Sequence, residues 1–385
     1  QMKEYTRFIH SLEKDGKLNR ELEFLPSDDA LAERTAKGQG LTRPELAILT
    51  AYGKMVMKEW LVLPEIYENS YFKRHLFTAF PKVLQQSYAK EMETHPLKAE
   101  IIATKLANLI VNDMGANFAQ RMMEETGSSI AEVAVCYTIA RDLFDVEAVW
   151  NKLEELDNVI PAALQIKLFH QLRRTMRRTT RWFLRHRNKA LDIQQTIDFF
   201  KPAFVEISNN LQKLLAPAEA EQLAANEQAF IEQGVPADVA RYLAQLSTCF
   251  SVMDIAQVAD AEKNGLLLSA EIYFKLGDRL DLHWFLEQIT QQPVANHWQA
   301  LARASYREEL DWQQRALSAV VVRGCGGACD AEAVISSWIT EHEPVLARWR
   351  QMLAEFKTTK SHEFAKFSVA LRELMLLSHH CDPVK

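Results

Sequence analysis

With 385 residues, 48% of them apolar and 25% charged, the chain can bury a large core without disulfide or metal staples. A formal charge of −6 excludes an overall polyanion-binding surface, and 12 glycines and 12 prolines are too few for the turns that many short strands require. The composition therefore predicts an all-α, multi-helical fold of roughly a dozen helices with little or no sheet.

The opening 40 residues read as a polar, irregular entry segment, passing through Pro26-Ser27-Asp28-Asp29 to Gly38 and Gly40. Thr42-Arg43-Pro44-Glu45 then has the form of a capping box, in which a threonine hydroxyl takes the amide three residues on and a glutamate reaches back. Proline is tolerated in that first turn because amides there lack helical partners, so a helix is expected through Val62. A helical stretch from Leu97 to Met114 should stop at Gly115, and Ser129-Ile130-Ala131-Glu132 opens another helix running to about Phe144.

Pro161 suits the first turn of a long helix reaching Arg187, along which Ile166, Phe169, Leu172, Met176 and Phe183 recur at helical steps. Asp192 is placed to cap the next helix, which Pro202 should kink or divide because it lacks a backbone donor. Pro217 and Gly234 bracket a further helix, and periodic segments follow near 236–248, 252–264, 269–292, 297–322, 331–357 and 362–378. Ser318 to Val322 is the one strand-like run, and it is read as helix. A change of character near 190 suggests regions 1–190 and 191–385.

Cys136, Cys249, Cys325, Cys329 and Cys381 are odd in number and scattered, which favours a reducing, cytoplasmic setting over a disulfide framework. The charged start has no signal-type apolar stretch, and no run of about 20 apolar residues would span a membrane. A dinucleotide site needs a glycine-rich turn between strand and helix, so that the backbone can approach the pyrophosphate. Gly38-Gln39-Gly40 has Arg43 at the third glycine position and Gly324-Cys325-Gly326 has Cys329 there, and neither follows a strand pattern. Cys325 and Cys329 lack the second ligand pair of a zinc site and read as a turn, while His379-His380-Cys381-Asp382 reads as a frayed terminus. No metal site is expected.

The strongest local anomaly is Arg173, Arg174, Arg177, Arg178, Arg181, Arg185, Arg187 and Lys189, with no acidic residue between them. Arg173, Arg177, Arg181 and Arg185 step by four, so on a helix they lie along one slowly rotating stripe. Like-charge neighbours at such spacing cost roughly 0.2–0.5 kcal/mol per pair, so an acidic counterpart is expected. One candidate is the stretch 206–262, with nine Asp or Glu against two Lys or Arg. Pairing within the chain or with a larger protein, a solvated face, and an independent scaffold holding an anionic partner all remain open; nucleic acid is not expected, because base- or sugar-reading elements are missing.

Gly38-Gln39-Gly40-Leu41-Thr42-Arg43-Pro44-Glu45-Leu46-Ala47, preceded by Leu22-Glu23-Phe24-Leu25-Pro26, resembles the segment beyond the catalytic core of large-subunit bacterial NAD-specific glutamate dehydrogenases. His95 to Thr104, Ala107 to Asn112, Gly115, Glu125-Thr126-Gly127 and Thr180-Arg181-Trp182 continue the likeness in order, over about residues 20–190. The resemblance implies a parent enzyme that deaminates L-glutamate oxidatively to 2-oxoglutarate and ammonia, passing hydride to NAD. It also implies that the substrate lysines and the dinucleotide fold lie upstream, so no catalytic or cofactor-binding residue is carried onto these positions and NAD is not expected to bind this fragment alone. The implied partners are the upstream catalytic region and, in a homo-oligomer, further copies, with this region serving assembly, core stabilisation or regulation. Arg173, Arg174, Arg177, Arg178, Arg181, Trp182 and Arg185 are the interface candidates, and Thr42, Glu45, Ser129 and Glu132 the helix-cap candidates.

Overall fold

The computed structural model describes residues 2–186, 191–325, 330–358 and 363–381, all of whose regular structure is α-helical. Arg187 and Lys189 of the basic run, Gly326 and Cys329 of the glycine turn, and Asp382 lie outside the described residues.

The described residues form 22 helices. The first seven are α1 (Met2–Lys14), α2 (Asp28–Ala36), α3 (Arg43–Leu61), α4 (Pro64–Tyr67), α5 (Lys73–Phe77), α6 (Lys82–Ser87) and α7 (Ala89–Glu93). Next come α8 (Lys98–Met114), α9 (Phe118–Thr126), α10 (Ile130–Leu143), α11 (Val146–Glu154), α12 (Ala162–His186) and α13 (Ile193–Leu214). The remainder is α14 (Pro217–Glu232), α15 (Ala237–Cys249), α16 (Val252–Ala261), α17 (Leu266–Arg279), α18 (Leu282–Gln291), α19 (His297–Arg323), α20 (Ala331–Glu341), α21 (Glu343–Thr358) and α22 (Phe364–His380).

The all-α class is as the composition implies, but the number of helices exceeds a dozen for identifiable reasons. The opening segment is not irregular: α1 turns Phe8, Ile9 and Leu12 to the interior at helical spacing, and Ser27 caps α2 by accepting the Ala30 amide. Four helices of four to six residues, α4 to α7, are too short to show a period in sequence. The stretch expected as 269–292 is broken at Asp281, which sits in the left-handed region at φ 55°, and 331–357 is broken at His342. Pro202 does not divide α13, which is one helix from Ile193 to Leu214. Ser318 to Val322 lie inside α19, where Val321 and Val322 are buried.

Two compact units divide the chain, one of residues 1–147 and 169–197, the other of 148–168 and 198–385. In the first, α3 lies along α8, with α4 and α5 also packed on α8 and α9 against α10. At Gly53 of α3 an added Cβ would stand 2.9 Å from the Cβ of Ala116, in the turn after α8. In the second, α17 and α19 are central, touching α16, α18, α20 and α22. Phe285, Trp349, Phe356 and Phe367 form an aromatic nucleus with ring centroids 5.0–5.6 Å apart, and the Trp349 indole N–H donates to the Leu280 carbonyl at 3.0 Å.

Candidate functional site

The basic run occupies the second half of α12 and belongs to the first unit. What lies against it is fixed by two helix ends. Gly115 ends α8, and Gly127, in the left-handed conformation at φ 69°, ends α9; each leaves carbonyls without helical partners at the negative end of a helix dipole. Arg173 donates from Nε to the Asp113 carbonyl at 2.6 Å and from a terminal nitrogen to that of Asn112 at 3.0 Å. Arg185 donates in the same way to the Glu125 carbonyl at 2.6 Å.

Glu125 is the acidic centre of this face. Its carboxylate accepts from Arg181, with both side chains only 10–12% exposed, and from Arg121 at 3.0 Å; Arg121 also meets Glu4 of α1 at 3.3 Å. Trp182 is buried, stacked on His186 at 4.4 Å and edge-on to Phe183 at 5.1 Å. Arg181 and Trp182 therefore face the interior, whereas Arg174, Arg177 and Arg185 are exposed and Arg178 is half-buried.

Beneath Arg173 lies a buried polar hub. The Tyr137 hydroxyl donates to the Asp113 carboxylate, which also accepts from Arg141 at 3.3 Å, and Arg141 reaches Glu147 at 2.9 Å. Burial pushes the Asp113 carboxyl up from its ordinary range, against the opposing pull of Tyr137 and Arg141, and burial likewise holds the Tyr137 hydroxyl well above its usual value. Burial lowers Arg173, with Asp113 opposing. The hub joins α8, α10 and α11 through ionic hydrogen bonds, and Arg173 ties α12 to it through the Asp113 carbonyl.

The acids of 206–262 reach other cations. Asp238 meets Lys152 at 2.5 Å, Glu227 meets Arg241 at 3.2 Å, Asp254 meets Arg315 at 3.0 Å and Glu262 meets Arg323 at 2.9 Å. The sequence does not assign Asp113, Arg121 or Glu125 to this face, although Glu125 stands in one of the motifs; the stop signals at Gly115 and Gly127 were the available clue, since a helix C-terminus is where guanidinium groups find free carbonyls.

Two reciprocal caps fix the entry of helices in this unit. The Thr42 amide donates to Glu45 at 2.6 Å while Thr42 Oγ1 accepts the Glu45 amide at 3.4 Å; Ser129 and Glu132 do the same at 2.7 and 3.3 Å. Burial works to raise the Glu45 carboxyl, yet hydrogen bonds from Arg34 and Thr42 bring it below its ordinary value. At the other end of the chain, Cys381 is buried and His379 and His380 are exposed.

Among the described residues there is no strand, and Gly38-Gln39-Gly40 joins α2 to α3, so they do not supply the strand–turn–helix cradle of a dinucleotide. Among the same residues no three His, Cys, Asp or Glu side chains converge as a metal site, and no helix is long and apolar enough to cross a membrane.

NAD-specific glutamate dehydrogenase of Pseudomonas aeruginosa is 42% identical over 375 residues, covering 97% of this chain but 23% of that protein. The protein of the same name from Halomonas elongata is 39% identical over 374 residues with the same coverage, and that from Mycobacterium tuberculosis is 30% identical over 365 residues, 93% of this chain and 22% of its own. The chain thus spans under a quarter of the length of these relatives. The family described as glutamate dehydrogenase, C-terminal, matches residues 38–376, and the chain belongs to it.

Proposed function

We propose that this chain is a noncatalytic helical region of an NAD-dependent glutamate dehydrogenase, whose whole polypeptide oxidises L-glutamate to 2-oxoglutarate and ammonia while reducing NAD. Its role in that reading is to stabilise the catalytic region and to order its assembly. The observation that carries it is the match of nearly the whole chain to under a quarter of three much longer relatives, in a family described as C-terminal. NAD chemistry needs a protein scaffold that positions the nicotinamide, and the common dinucleotide cradle is built on a strand, of which the described residues have none.

The surface supports the same reading. Leu22 is 71% exposed and Phe24 90% exposed, and Phe24 is held in the left-handed region at φ 53°, a conformation that a bulky residue adopts only when its surroundings impose it. These apolar groups are suited to cover by further polypeptide.

The test compares two purified proteins, the 385-residue chain and the whole polypeptide. The whole polypeptide is expected to reduce NAD in the presence of L-glutamate. The chain alone is expected to show a helical circular dichroism spectrum and no NAD reduction; turnover by the folded chain alone would place the chemistry inside it and end this proposal.

A further inference from the structure

Arg174 and Arg177 differ from the other arginines of α12. Arg173, Arg181 and Arg185 each reach a carbonyl or carboxylate at the end of α8 or α9. Arg174 and Arg177 are exposed and make no ion pair among the described residues, although Glu125 attracts Arg177 from a distance. Standing three residues apart, they project from adjacent turns of one face. The local acids are already engaged, Glu4 with Arg121 and Glu125 with both Arg121 and Arg181. Surrounding protein and then repulsion from Arg121 push the Arg177 pKa down to about 10, against the attraction of Glu125. Repulsion outweighs that attraction, so the patch is positive and open to an anionic group.

We infer that Arg174 and Arg177, with Arg121 beside them, form a docking site for an acidic segment of the polypeptide that precedes residue 1 in the whole protein. The inference rests on the proposed place of this chain at the end of a longer enzyme. Two observations select that occupant. The site adjoins α1, since Glu4 of that helix holds Arg121, so polypeptide leading into α1 passes close to it. More than three quarters of each relative's length lies outside the matched part, and the family description assigns the match to the C-terminal side.

The chemistry selects carboxylates. Planar guanidinium forks take carboxylates with two parallel hydrogen bonds each, as Arg20 and Arg323 do here with Glu13 and Glu262. A nucleic acid or an anionic membrane would need a broad basic surface, but Glu4, Glu124 and Glu125 flank this one and the chain as a whole carries −6. A short acidic segment fits between those carboxylates, where a long polyanion is repelled.

The experiment uses the whole enzyme, with the photo-cross-linker p-benzoylphenylalanine placed at Arg174 in one preparation and at Arg177 in another. After irradiation the product is run on a denaturing gel and its peptides mapped. A species of single-chain mass, joined to an Asp- or Glu-bearing peptide from before residue 1, is the expected result. With the cross-linker at Arg174, the added substitution Arg177→Gln should lower the yield at least fivefold, and 0.5 M salt should do the same. Cross-links confined to residues 1–385, cross-links to a second copy, an absence of cross-links, or a yield indifferent to Arg177→Gln would each overturn the inference. Inactivity of the isolated chain would stand regardless, so the two readings fail separately.

Discussion

At the scale of single residues, burial decides which ionisable groups matter for stability. His75 is 7% exposed, stacked on Phe72, and its Nε2 has no hydrogen-bond partner among the described residues. Burial first, then repulsion from Arg74 and Arg141, pushes it down to about 4 from an ordinary 6.5. Because the folded pKa is depressed, the unfolded chain takes up a proton between these values that the folded chain refuses, and stability falls as pH drops from 6.5 towards 4. At roughly 1.4 kcal/mol per pKa unit the loss approaches ~3 kcal/mol. Replacing His75 with Phe should flatten the stability profile over that range relative to the unsubstituted chain, as read by urea melts at successive pH values; an unchanged slope would exclude His75 as the cause.

Helix pairs bring in a second kind of constraint, because what one element requires is set by its neighbour. Gly53 lies inside α3, where glycine costs about 0.5–1 kcal/mol relative to alanine, yet Ala116 leaves no room for a Cβ. Gly53→Ala is therefore expected to destabilise by about 1–3 kcal/mol through overpacking, and a stabilised variant would mean that α3 and α8 separate easily. Glu125 ties α9 to α12 from a position 12% exposed, whereas its neighbour Glu124 meets Arg7 at the surface with both side chains about 40% exposed. Glu125→Ala removes the buried carboxylate that pairs with Arg181 and should cost about 3–5 kcal/mol in a thermal or urea melt, against under ~1 kcal/mol for Glu124→Ala. Equal effects would show that burial does not govern the strength of this contact. Four of the six named interface candidates with a basic side chain illustrate the limit of sequence here: Arg173 and Arg181 turn to α8 and α9 while Arg174 and Arg177 turn outward, and helical spacing alone does not say which.

Across the whole molecule, the helices sort into two units whose makeup no local signal conveys, since residues 169–197 join the first unit after the chain has already entered the second. Chain order and contact order differ because the clamp on α8 and α9 is made by α12, 60 residues away in sequence at Arg173 and Asp113. The resemblance read from Gly38 to Ala47 and the later motifs agrees with the family match over residues 38–376. The chain spans under a quarter of its relatives' length, which is why the decisive measurements use the whole polypeptide.

By itself the sequence determined that the fold is helical and where most of the longer helices run, because helical periodicity, proline in first turns and glycine at helix ends act within a few residues of the backbone they shape. It also determined the family, through motifs that are contiguous in the chain. Only tertiary structure decided that the first 40 residues hold two helices, that Glu125 and the carbonyls of Asn112 and Asp113 receive the arginines, and that Arg174 and Arg177 remain exposed. Those outcomes depend on which carbonyls, carboxylates and apolar faces meet across distant stretches of chain, and burial then sets how much each meeting is worth.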